Sequence, residues 1–161
     1  MAKTTYIVLG MHRSGTSAIA RMLRIYGISL PGELLGPAVD NEKGFFEDKY
    51  LVDLNTQILT KQGLEWDSLT GFFLDPNDFS SPKFNQLKKR ARNFLEERAK
   101  QKQDWGFKDP RLSRLLGFWA PLLKAQNVAH KYVVAIRKPD DVAASLAARD
   151  SFLPLKSLHL W

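Results

Sequence analysis

The chain has 161 residues, 44% hydrophobic and 25% charged, with a net charge of +7 and no cysteine; it predicts one domain with its own core and excludes disulfides, thiolate zinc sites and cysteine nucleophiles. No apolar run approaches the roughly 18 residues of a membrane span, and the start, Met1 to Thr5, leaves no room for a secretory leader. A cytoplasmic protein with no membrane partner is expected, and the positive charge points to an anionic partner, either nucleic acid or a small polyanion.

Taken in chain order, the apolar run Tyr6-Ile7-Val8-Leu9 predicts a short buried strand. A helix follows over residues 16–26, where Ala18, Ile19, Met22, Leu23 and Tyr26 recur at helical spacing. Gly27 supplies its stop. Residues 28–44, with Gly32, Gly36, Gly44, Pro31 and Pro37, read as a long loop of the kind that carries function. The next helix, 47–62, aligns Tyr50, Leu51, Leu54, Ile58 and Leu59, and residues 64–82 form another irregular connection. A third helix, 83–102, aligns Phe84, Leu87, Ala91, Phe94 and Leu95. Its basic run Lys88-Lys89-Arg90 with Arg92 reads as a solvated face, because Glu96 and Glu97 follow and no aromatics interleave. Nucleic acid is therefore not the expected partner.

Two further strands are predicted, at 105–107 and at 132–136, the second rich in aromatic and β-branched residues. Between them lies a helical region, 112–126, kinked or split at Pro121. Arg137-Lys138-Pro139-Asp140-Asp141 then leads into a last helix through Arg149. Strands separated by helices predict an α/β fold, a parallel sheet with helices on both faces.

The stretch that carries chemistry is Gly10-Met11-His12-Arg13-Ser14-Gly15-Thr16-Ser17, directly after the first strand. It has the glycine spacing of a phosphate-binding P-loop, yet Thr16 stands where a Walker lysine belongs, and Arg13 lies inside the loop. In this topology the loop occupies the carboxyl edge of the sheet, where ligands bind. The amides of Ser14 to Ser17 are expected to point inward, and the helix start adds partial positive charge. One such interaction contributes about 0.3–1 kcal/mol when exposed, so Arg13 must add to it. The competing reading is a glycine turn capped by Ser14 or Thr16.

His12-Arg13-Ser14-Gly15-Thr16-Ser17 resembles the phosphosulfate loop of sulfotransferases that use 3′-phosphoadenosine 5′-phosphosulfate (PAPS), in which Lys or Arg precedes Ser-Gly-Thr. Arg137-Lys138-Pro139-Asp140-Asp141-Val142-Ala143-Ala144-Ser145 resembles the 3′-phosphate segment of the same family, with an Arg at a strand end and a Ser further along the helix. Gly106-Phe107-Lys108-Asp109-Pro110-Arg111 is similar to a stretch of bacterial members. The resemblance covers nearly the whole chain and implies a P-loop NTPase-like architecture. Since the family domain normally continues well past this point, residues 1–161 are expected to be a single sulfotransferase-like domain shortened at its C-terminal end.

The resemblance implies sulfuryl transfer from PAPS, leaving PAP, to a hydroxyl or amine of a small-molecule or glycan-like acceptor held by variable loops such as 28–44 and 64–82. It implies nucleotide contacts by His12, Arg13, Ser14, Gly15, Thr16, Ser17, Arg137 and Ser145. A transferring sulfuryl group carries less charge than a γ-phosphate, so fixed cations and amides suffice and no metal is expected. Arg13, permanently protonated, is expected at the bridging oxygen as a catalytic cation. Glu47, beside Phe45 and Phe46, is the candidate base, with Glu42 next and the helix-start role as its alternative. His12 is expected to shape the loop, and His130 and His159 to be structural. Lys108 and Arg111 either pair within the fold or touch ligand or acceptor. A metabolite kinase and a non-catalytic nucleotide-binding module remain the alternatives, separated by magnesium dependence and by turnover.

Overall fold

The residues Thr5-Tyr6-Ile7-Val8-Leu9 form β1 (Thr5–Leu9), the middle strand of a three-stranded sheet ordered β2-β1-β3. The computed structural model describes residues 3–39, 41–71 and 74–161. Both neighbours run parallel to β1. β2 (Trp105–Lys108) pairs from Thr5↔Trp105 to Val8↔Lys108, and β3 (His130–Val134) from Thr5↔His130 to Leu9↔Val134.

Side chains alternate across a strand, and the two faces of β1 and β2 are used differently. Ile7 and Leu9, with Trp105 and Phe107, face a core built on α2 (Lys49–Lys61), α3 (Asn85–Arg98) and α4 (Leu116–Ala125). Leu51, Leu54, Ile58 and Leu59 of α2 are fully buried there, as the helical spacing predicts. Burying each such side chain contributes about 1.5–3 kcal/mol. α1 (Thr16–Ile25) packs against β1 and β2, and Lys108 reaches its first turn. The chain is thus α/β, an open parallel sheet flanked by helices. Among the described residues no helix is long and apolar enough to cross a membrane.

Several boundaries differ from expectation for local reasons. Asp48 caps α2, its carboxylate accepting from the Tyr50 amide at 2.9 Å. Glu47 therefore precedes the cap instead of starting the helix. Within the basic run on α3, Arg90 pairs with α2: it donates to Asp53 and Gln57 and lies over the Tyr50 ring. The region after β2 splits between a 3-10 turn, Pro110–Ser113, and α4, while Pro121 is carried inside α4. β3 begins and ends two residues before the predicted strand. Tyr132, Val134 and Ile136 are exposed, because β3 is an edge strand whose extent follows from pairing with β1, not from its own apolar run. After α5 (Pro139–Asp150), an unanticipated short α6 (Pro154–Leu160) packs against it.

Candidate functional site

The loop between β1 and α1 is held by backbone geometry. A Cβ at Gly10 would stand 2.7 Å from the Ala135 carbonyl oxygen, so only glycine lets the strand ends approach there. Arg13 adopts a left-handed φ of 67°, uncommon outside glycine, and Gly15 follows at 93°. Gly15 is the N-cap residue of α1 and brings no side chain to it. The first amide to bond back is Ile19, to the Gly15 carbonyl, so Thr16 and Ser17 lie in the turn whose N–H groups have no intrahelical acceptor.

Ser14 departs from its expected place. It is buried, and both its amide and its hydroxyl donate to the Met11 carbonyl, at 3.1 and 2.6 Å. It shapes the loop and does not present an inward amide. The other loop residues of the sequence reading, His12, Arg13, Gly15, Thr16 and Ser17, line a cavity of about 620 Å³ at the carboxyl edge of the sheet.

The rest of the cavity wall comes from far along the chain. Arg137, just past β3, and Ser145, on α5, line it together with Arg13. Arg13 Nε donates to Ser145 Oγ at 2.8 Å, and Arg137 Nη1 donates to the Arg13 carbonyl at 3.2 Å. The motif pair is brought together more tightly than expected: Arg13, expected at the bridging oxygen, and Ser145, expected at the 3′-phosphate, are direct partners.

The opposite wall is sealed. Glu47 and Lys108 are both buried, and Lys108 Nζ donates to Glu47 Oε1 at 2.5 Å. Glu47 Oε2 lies 4.0 Å from Arg111 Nη1. Burial pushes the Glu47 carboxyl above its ordinary range; the neighbouring charge of Asp109 acts the same way, while Lys108 and Arg111 pull it down. For Lys108, the internal pairing and a place on the cavity wall hold at once. Asp109, just past β2, accepts from Asn55 through Oδ2 and from Arg111 through Oδ1, all at 2.9–3.0 Å.

His12 packs against Trp66 with ring centroids 4.3 Å apart and planes tilted by 42°, and its Nε2 is buried without a hydrogen-bond partner among the described residues. Burial first, then the charges of Arg111, Arg149, Lys108 and Arg13, hold its imidazole well below the usual range, so it is neutral at physiological pH. Glu42 is exposed and lies off the cavity wall. His130 contacts the Val128 carbonyl, and His159 lies on the exposed side of α6.

Trp66, Asn41 and Arg149 also line the cavity and were not singled out from the sequence. Trp66 sits between His12 and Phe152, with the Arg149 guanidinium over its ring. Arg149 lies four residues beyond Ser145 on α5, a spacing that places both on one helix face. That signal was available. The loops 28–44 and 64–82 include Asp40, Phe72 and Phe73, which lie outside the described residues.

Five cations therefore line one cavity, Arg13, Lys108, Arg111, Arg137 and Arg149, against the carboxylates Glu47 and Asp150. With an uncapped helix start among them, the arrangement suits a polyanion. Among the described residues no group of three or more His, Asp or Glu is placed to hold a metal ion. Comparison with protein-family models, with curated proteins and with solved structures gave no match.

Proposed function

We propose that this chain is a PAPS-dependent sulfotransferase domain with a P-loop NTPase-like architecture, transferring a sulfuryl group to a hydroxyl or amine of a small-molecule or glycan-like acceptor. The observation that carries the reading is the convergence of Arg13, Arg137 and Ser145 beside the uncapped start of α1. Two motifs 120 residues apart thus face one cationic cavity. The donor set suits the phosphates of one nucleotide: the helix-start residues Thr16 and Ser17 on one side, and beside them the contiguous group Arg13, Ser145 and Arg137. When bound, PAPS supplies the activated sulfuryl group, with PAP as its leaving group.

The chain's own residues then divide the work. Arg13 stabilises negative charge as it develops on the leaving oxygen, and its permanent protonation bars it from acid or base chemistry. Glu47, pushed towards a useful basicity by burial, accepts the proton of the attacking hydroxyl or amine. The acceptor's new oxygen– or nitrogen–sulfur bond forms as the bridging bond breaks, its electron pair departing with the leaving oxygen. Thr16 and Ser17 hold the phosphate end in place through backbone amides. The kinase alternative asks for a strand-end carboxylate open to the loop, and Asp109 instead turns both oxygens to Asn55 and Arg111.

Calorimetry with PAP and adenosine 5′-phosphate tests the reading. The chain should prefer PAP by roughly ten- to a hundred-fold, the worth of one charge-assisted contact to a phosphate of about 1.5–3 kcal/mol, with no need for magnesium. Equal affinity for the two nucleotides would remove the sulfotransferase assignment.

A further inference from the structure

The Lys108 ammonium has three protons and three acceptors: Glu47 Oε1 at 2.5 Å, the Phe45 carbonyl at 3.1 Å and Ser17 Oγ at 3.2 Å. Ser17 belongs to the first turn of α1 and, with Thr16, lines the cavity. The loop lacks a lysine of its own, and β2 delivers an ammonium to that same end from 91 residues away. One buried cation thus serves as counter-charge to Glu47 while standing one hydroxyl from the place built for an anion.

We propose that Lys108 couples anion binding at the start of α1 to the basicity of Glu47. An anion seated there draws the ammonium towards itself, the ion pair with Glu47 weakens, and the carboxylate becomes a stronger base. The groups facing Glu47 set the direction. Lys108 on β2 and Arg111 just after it favour the carboxylate; burial and Asp109 oppose it. An opposite charge within about 4–6 Å favours the carboxylate form, so weakening the Lys108 pair raises the Glu47 pKa. Arg111, still near Oε2, keeps the group ionised enough to accept a proton. The base therefore strengthens once an anionic donor is in place, which orders binding as donor before acceptor. The purpose of the coupling rests on the sulfotransferase reading, whereas its test needs neither PAPS nor turnover.

The test follows the Glu47 side-chain carboxyl by NMR in ¹³C-glutamate-labelled chain, titrated with and without inorganic sulfate, which keeps its charge throughout. The titration midpoint should rise by roughly 1–3 units with sulfate. A midpoint that stays put or falls, or sulfate that does not bind at the loop, overturns the proposal. In Lys108→Met the sulfate-induced rise should largely vanish. A rise equal to the parent's would assign the effect to direct repulsion and also overturn it. A crystal of the unaltered chain with sulfate reads the same event without any variant: Nζ should lie against the sulfate and away from Glu47 Oε1. An ammonium still seated on Glu47 contradicts the coupling. A chain that prefers PAP but shows no sulfate effect keeps the function and loses the coupling; the converse result keeps the coupling and loses the function.

Discussion

The two walls of the cavity are built from the same residue types under opposite conditions. On the β2 side, Lys108, Glu47 and Asp109 are buried, and Asp109 is fully enclosed. On the β3 side, Arg137 on the wall and Asp141, outside the lining, have side chains 44% and 54% exposed and 3.8 Å apart. Charges in the sealed wall have already lost their water, so their partners fix their contribution to stability. Charges in the open wall are screened and gain strength only when a ligand covers them. In the proposed function, the sealed charges set the chemistry and the open charges capture the ligand.

Glu47→Gln tests the sealed wall most severely. It keeps the shape and removes the basicity, so turnover should fall by roughly 10²–10⁴, while PAP binds no more weakly than to the parent, and more tightly if Lys108 couples the two sites. The parent rate should rise with pH as the Glu47 carboxyl, held above its ordinary range, loses its proton. The variant should lose that limb. A Gln variant with most of its activity would move the base elsewhere.

Lys108→Met comes next. Removing one partner of a buried pair costs about 3–5 kcal/mol, read by urea unfolding at neutral pH. Without the lysine, the Glu47 pKa rises further in the folded chain. The variant's deficit is therefore full above that raised value and shrinks as pH falls through it towards the ordinary carboxyl range. A loss under about 1 kcal/mol, within the range of a surface pair, would erase the contrast between the walls.

The open wall should respond to ligand and hardly to denaturant. Arg137→Ala should lower PAP affinity by roughly ten- to a hundred-fold and bring it level with adenosine 5′-phosphate, while the unfolding midpoint barely moves. Asp141→Ala is the smallest effect, a stability change under about 1 kcal/mol. A large stability loss in either variant would mean that the open wall is structural.

How far the sequence reaches follows from the same division. Helical spacing picked out Leu51, Leu54, Ile58 and Leu59, and later Leu87, Phe94 and Leu95, because burial imposes its period locally. β3 was misplaced by two residues because an apolar run marks a strand without saying where its partner stops. Its exposure was equally hidden, since edge position is a property of the sheet. In the site, the glycine loop, Arg137 and Ser145 were legible as motifs, whereas the Arg13–Ser145 hydrogen bond joins residues 132 positions apart. The Lys108–Glu47 pair spans 61 positions, and only the fold turns that distance into contact. Ser14 misled because a hydroxyl in a phosphate loop points to a ligand or to its own turn with equal local logic, and here the Met11 carbonyl takes it. Trp66 lay in a segment without periodicity, so nothing local tied it to His12.

A crystal structure of the chain with PAP tests the central claim most directly. The 5′-phosphate should sit against the amides of Thr16 and Ser17 with Arg13 beside it, and the 3′-phosphate between Arg137 and Ser145. PAP bound outside this cavity, or held in it with the 3′-phosphate away from both Arg137 and Ser145, would contradict the account.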